Sequence, residues 1–210
     1  MRCYSPNAFL MYKIYTLAAG ATPVEARETN LRADTAALLA AVTERTKIVF
    51  IANPNNPTGS YLTATELTEF RRMLPAHIMM AVDGAYAECA DAVDYDDGQI
   101  LASTTNNTVM LRTFSKLYGL PFLRLGWMLG DAEIIDAVSR IKSPFNVNGA
   151  AQAAGVAALE DTEWLTQQYQ LNLAGRDWLI GAFRALRLNA HDSQGNFTLV
   201  DFGSTERRKK

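Results

Sequence analysis

Apolar and polar positions alternate along this chain in blocks of two kinds. Thr46-Lys-Ile-Val-Phe-Ile-Ala52, Ile78-Met-Met-Ala-Val82 and the segment from Thr108 to Leu111 are short apolar runs, as buried parallel strands require. Between the first two, Thr63-Ala-Thr-Glu66 has the form of a capping box and predicts a helix through about Leu74, closed by Pro75. The polar stretch from Asp91 to Asn107 reads as loop or helix. Gly126 to Gly130 predicts a further short strand, and Asp131 caps a helix through about Ile141. Asn148 to Leu159 predicts a helix rich in small residues and closely packed. Glu163 to Leu186 reads as one long helix, with Trp164, Leu171 and Trp178 recurring as one face. Cys3 to Phe9 reads as a strand end running into a loop, and Phe197 to Phe202 as a strand. This alternation predicts the α/β class, a mainly parallel sheet with flanking crossover helices. A long helix followed by a new strand predicts exit into a second unit. The boundary is placed at residue 162, with 1–162 as a large domain and 163–210 as a linking helix plus the start of a smaller one.

Composition narrows the classes. The chain has 210 residues, 49% hydrophobic and 20% charged, with a net charge of −2. That is ordinary for a globular protein and argues against a nucleic-acid partner or an anionic membrane surface. Val147 to Leu159 is interrupted by polar residues and glycines and is too short to span a bilayer. The N-terminus has no signal-peptide pattern. Two cysteines, Cys3 and Cys89, make no disulfide framework, so a reducing cytoplasm is expected. His77 and His191 are the two histidines, and with no Cys or His cluster no metal site is expected. Both ends read as cut: the first residues run straight into a strand end, and the basic tail Arg207-Arg-Lys-Lys210 follows directly on a strand.

Three predicted strands deliver polar groups at their carboxyl ends, where open α/β sheets bind ligands. These are Asn56, then Asp83 and Tyr86, then Lys116 between Thr113 and Ser115, with Arg124 further on. Each alone has an ordinary reading: a turn amide, a turn carboxylate, a half-buried ring, solvated charges. Together they match what pyridoxal phosphate needs. A carboxylate, Asp83, keeps the pyridine nitrogen protonated. Asn56 and Tyr86 offer donors to the ring oxygen. Arg124 presents a planar guanidinium to the phosphate, with the hydroxyls of Thr113 and Ser115 beside it. Lys116 carries the cofactor as an imine and, when displaced, serves as general base.

Asn53-Pro-Asn-Asn-Pro-Thr-Gly59, Asp83-Gly-Ala-Tyr86 and Ser115-Lys116 with Arg124 resemble the fold-type-I, class I/II pyridoxal-phosphate aminotransferases. The strings Arg112-Thr-Phe-Ser-Lys-Leu-Tyr-Gly-Leu120, Leu123-Arg-Leu-Gly-Trp127 and Pro144-Phe-Asn-Val-Asn148 are similar to the histidinol-phosphate aminotransferases within that family. The resemblance implies transamination of histidinol phosphate with 2-oxoglutarate in histidine biosynthesis, small-molecule amino donors and oxo acceptors as partners, and a homodimer. It suggests Phe9 as the ring stacking on the pyridine, against the alternative of a core aromatic. It brings Asn148 near the substrate, against the alternative of a helix cap. It also implies departures. The family's N-terminal arm and part of its phosphate cup are missing, as is its C-terminal arginine for the substrate carboxylate; Arg140 and Arg176 read as helix-surface charges. Within the class, an aromatic-amino-acid aminotransferase or a related decarboxylase is the alternative. From other classes come an inactive truncated remnant and a generic nucleotide-binding domain. The last lacks support, because no Gly-x-Gly-x-x-Gly or P-loop is present.

Overall fold

The computed structural model describes residues 1–204 and 206. In chain order these form β1 (Arg2–Tyr4), α1 (Met11–Ala18), β2 (Pro23–Glu25), β3 (Glu28–Thr29), β4 (Arg32–Ala33), α2 (Thr35–Ala40), β5 (Ile48–Ala52), α3 (Ala64–Met73), β6 (Met79–Asp83) and α4 (Gln99–Thr104). There follow β7 (Thr108–Thr113), β8 (Gly126–Gly130), α5 (Ala132–Ile141), α6 (Gly149–Glu160), α7 (Thr162–Ala185), β9 (Asn189–Ala190) and β10 (Val200–Asp201). The basic tail singled out from the sequence, Arg207 to Lys210, lies outside the described residues.

A six-stranded sheet has the order β2-β1-β5-β6-β7-β8. Every neighbouring pair is parallel except β7 with β8, which is antiparallel. The mixed but mainly parallel α/β architecture is therefore the one the sequence pattern predicts. From β1 the chain moves outward to β2, then returns on the other side of β1 to form β5. That reversal of strand order makes a crevice at the carboxyl ends of β1 and β5, the usual ligand position in such sheets. The core lies against this sheet: Val49 and Ile51 from β5, Met80 and Val82 from β6, and Leu67 and Phe70 from α3 are all at most 2% exposed. Each such side chain contributes about 1.5–3 kcal/mol by leaving water.

Local chemistry sets the helix starts. Thr63 accepts from the Glu66 N–H while Glu66 accepts from the Thr63 N–H, so the predicted capping box forms. Asp131 caps α5 and Asn148 caps α6 through their side chains. Two expectations change, for α6 and for the last strand, and α7 shows which of its faces packs. In α6 the described buried residues are Ala151 and Gly155; much of the remainder faces outward, so close packing is confined to one side. In α7, Leu171 and Trp178 of the predicted face are exposed, at 65% and 70%, Trp164 is partly buried, and Arg176 and Ile180 are buried. Positions two residues either side of Trp178 lie about 200° around the helix from it, so around Trp178 α7 packs through the opposite face. The strand expected over Phe197 to Phe202 is short, because β10 pairs only with the two residues of β9. Between Leu10 and Thr46, α1, α2 and three short strands appear where the pattern predicted no element. None of the described helices is long and apolar enough to cross a membrane.

Candidate active site

The loop after β5 is built around two buried amides. Asn53 is fully buried; its Nδ2 donates to the carbonyls of Leu62 (3.1 Å) and Asp96 (3.0 Å), and its Oδ1 accepts from the Leu62 N–H at 2.7 Å. Asn55 Nδ2 donates to Thr58 Oγ1 at 2.9 Å and to the Asn7 carbonyl at 3.3 Å. Gly59 has φ +71°, and a Cβ there would collide with Ser193, so this turn accepts only glycine. With the loop fixed, Asn56 faces a cavity of about 350 Å³ at the carboxyl edge of the sheet.

Asn56 Nδ2 donates to the Tyr86 hydroxyl at 2.9 Å. Because that oxygen accepts from Asn56, the Tyr86 proton is available to another acceptor in the cavity. Tyr86 is 7% exposed, and Phe197 packs edge-on against its ring with centroids 5.0 Å apart. Lys116 Nζ lies 4.9 Å from the centroid of the same ring, a cation–π arrangement. Asp83 ends β6, with Oδ1 accepting from the Ala85 N–H (3.1 Å) and Oδ2 from the Tyr12 hydroxyl (2.6 Å). Burial pushes the Asp83 carboxyl above the ordinary carboxylate value. The bonds from Tyr12 and Ala85, and the positive charge of Lys116, act in the opposite sense.

The third wall comes from the turn after β7. Thr113 Oγ1 accepts from the Ser115 N–H at 3.1 Å. Arg124 adopts φ +52°, a left-handed conformation that costs a non-glycine residue about 1 kcal/mol. Its Nη1 donates to the Pro121 carbonyl (2.7 Å) and to Ser115 Oγ (3.2 Å), which aims the guanidinium along the hydroxyl-bearing turn. Strain of this kind is common where a side chain must be held for binding.

Of the residues picked from the sequence, Phe9, Asn56, Asp83, Tyr86, Thr113, Ser115, Lys116 and Arg124 all line this one cavity. Phe9 stands at its mouth, 47% exposed and edge-on to Tyr12 at 5.9 Å. Asn148 is not among the lining residues; its Oδ1 accepts from the Ala151 N–H at 2.9 Å as the cap of α6. Arg140 is a surface charge paired with Asp136. Arg176 is not. It is 7% exposed, and its guanidinium binds Asp91 at 2.9 Å and Asp177 at 3.2 Å. A helical arginine reads as solvated unless its partner is known, and Asp91 is 85 residues away in sequence. Tyr12 also lines the cavity and is absent from the sequence candidates. Its one local signal is its position a helical turn beyond Phe9.

The assembled groups can do three things on one small molecule. A carboxylate can hold a protonated ring nitrogen, an amide and a phenol can donate to a ring oxygen, and a guanidinium with two hydroxyls can hold a phosphate. A primary amine stands within the same space. Comparisons with known proteins point the same way. The family described as aminotransferase class I and II matches residues 4–210. A histidinol-phosphate aminotransferase of Rhodospirillum centenum is 53% identical over 204 residues, covering 97% of this chain and 56% of the relative. One from Rhodopseudomonas palustris (strain BisB18) is 47% identical over 194 residues, covering 92% and 53%. Among solved structures, a histidinol-phosphate aminotransferase of Sinorhizobium meliloti in complex with pyridoxal-5'-phosphate superposes with a TM-score of 0.91 at 29% identity. That match covers 96% of this chain and 55% of the other. The chain thus spans about half the length of the curated relatives it matches.

Proposed function

The chain belongs to the class I and II aminotransferase family, and from that premise we propose that it acts in pyridoxal-phosphate-dependent transamination. The substrate pair is histidinol phosphate with 2-oxoglutarate, giving imidazole acetol phosphate and glutamate. The observation that carries this reading is the convergence of Asn56, Asp83, Tyr86, Thr113, Ser115, Lys116 and Arg124 on one cavity. The donor set fits the cofactor group by group. Asp83 would hold the ring nitrogen, Asn56 and Tyr86 the ring oxygen, and Arg124 with Thr113 and Ser115 the phosphate. Phe9 would cover the ring from the mouth of the cavity.

When bound, pyridoxal phosphate supplies an electron sink for the substrate's α-carbon. The protein's own part is binding, orientation and proton transfer. Lys116 is the amine that would attach the cofactor and carry the proton. Its Nζ stands over the Tyr86 ring, within the same cavity as Asp83. Tyr86 is held from behind by Phe197 and from the side by Asn56, so its hydroxyl has a fixed direction. We assign Asn148 no role beyond its cap. The names of the curated relatives support histidinol phosphate over an aromatic amino acid or a decarboxylation substrate. A cytoplasmic homodimer, and a division of the chain near residue 162, belong to the same proposal.

The test is direct. Histidinol phosphate, phenylalanine and tyrosine are added separately to the chain loaded with pyridoxal phosphate, and the visible absorption is followed. The proposal predicts fast conversion of the band by histidinol phosphate. Equal or faster conversion by the aromatic amino acids would replace the substrate assignment. A soluble, folded chain that binds no pyridoxal phosphate would favour the inactive remnant.

A further inference from the structure

Tyr12 enters the site from α1, which follows β1, whereas Asp83 ends β6; β5 runs between those two strands. The phenol reaches across β5 by lying flat on one of its side chains. The rings of Tyr12 and Phe50 are stacked at 4.7 Å with 8° between their planes. Tyr4 and Phe9 close on the Tyr12 ring edge-on, at 6.3 Å and 5.9 Å. Tyr12 is 8% exposed, and its hydroxyl ends 2.6 Å from Asp83 Oδ2.

We propose that Tyr12 is a positioning residue that fixes the orientation and the ionised state of Asp83, and through Asp83 the affinity of the site for the cofactor's ring nitrogen. This rests on the proposed role of Asp83. Two donors, the Tyr12 O–H and the Ala85 N–H, each take one carboxylate oxygen. They set the plane of the carboxylate and leave further lone pairs directed elsewhere. A carboxylate partly withdrawn from water takes up a proton unless donors or cations favour its charge. Among the described residues, the groups that do so are Tyr12, the Ala85 N–H and Lys116. Lys116 is the amine that would be consumed in holding the cofactor. Tyr12 and Ala85 then remain as the donors. The Tyr12 phenol keeps its proton: burial and the neighbouring carboxylate push its ionisation well above the usual range, so it serves as a neutral donor.

The experiment has two arms. In the cofactor-free chain, the Asp83 carboxyl is titrated by ¹³C NMR. Tyr12→Phe keeps the stacked ring and removes the donor, and its midpoint moves to higher pH. Replacing Tyr12 with 3-fluorotyrosine keeps the shape, strengthens the donor and moves the midpoint to lower pH. A midpoint that stays put in both overturns the proposal, whether or not the chain binds pyridoxal phosphate. In the second arm, pyridoxal-phosphate affinity is measured for the wild type, Tyr12→Phe, Asp83→Asn and the double variant. Tyr12→Phe weakens binding about tenfold, equivalent to about 1.4 kcal/mol, when Asp83 is present and adds little when it is not. Equal losses in both backgrounds would show that the Tyr12 hydroxyl acts independently of Asp83 and would overturn the proposal. A wild type that binds no pyridoxal phosphate, with a shifted NMR midpoint, would defeat the cofactor assignment and leave the Tyr12–Asp83 coupling standing.

Discussion

Asn53 and Asn56 occupy one loop and do different work. Asn53 has its carboxamide buried and bonded on both sides, to Leu62 and Asp96. Asn56 turns toward the cavity and meets Tyr86. Removing Asn53 strands buried backbone partners, so Asn53→Ala lowers unfolding free energy by about 3 kcal/mol. Asn56→Ala lowers it by less than about 1 kcal/mol and weakens pyridoxal-phosphate binding instead. Urea denaturation beside a cofactor titration separates the two, and a large stability loss from Asn56→Ala would contradict the division. Residue types and spacing were enough to nominate Asn56, Asp83, Tyr86 and Lys116, because each follows an apolar run at its carboxyl end. Spacing could not nominate Tyr12. Its partner Asp83 is 71 residues away, and only the order of β1, β5 and β6 brings them together.

Among elements, α3 shows how a local signal acquires a distant partner. The Thr63–Glu66 capping box was legible in four consecutive residues. The Arg32 guanidinium, which grips the Glu66 carboxylate through both Nη atoms, was not. That bond and the capping donors hold the Glu66 carboxyl down at about 2, from an ordinary 4.5. A depressed carboxylate stabilises the fold fully above its unfolded value and loses that contribution as pH falls toward the folded one. Both partners are about a third exposed, so solvent screening limits the pair to about 1 kcal/mol. Glu66→Gln therefore destabilises by about that amount at neutral pH, and the difference from wild type shrinks between pH 4.5 and 2. Urea unfolding at neutral pH and near the acid end measures it; a constant difference would refute the pairing. The seven-residue row on α7 predicted the helix, and α7 forms over Thr162–Ala185. Periodicity identifies a helix and one of its faces but not which face packs, and here Arg176 with Asp91 secures the other.

Over the whole molecule, the segment after α7 folds back onto the site. Gln194 Oε1 accepts from the Asp91 and Ala92 N–H groups at 2.7 Å and 3.0 Å, Ser193 abuts Gly59, and Phe197 backs Tyr86. Arg176 and Asp91 tie α7 to the same turn. Asp91→Ala leaves a buried guanidinium with Asp177 as its remaining carboxylate, a loss of about 2 kcal/mol by urea denaturation. No measurable loss would mean that the pair does not hold α7 in place. The parallel sheet and its loaded carboxyl edge were legible from alternation. The strand order was not, because short apolar runs carry no record of which neighbour they join. The central claim is that this edge is built around Lys116 as a cofactor anchor. The most direct measurement is borohydride reduction of the chain mixed with pyridoxal phosphate, followed by peptide mass spectrometry. A stoichiometric pyridoxyl adduct on Lys116, lost in Lys116→Ala, is the predicted result. No adduct, or labelling scattered over other lysines and unchanged in Lys116→Ala, would contradict it.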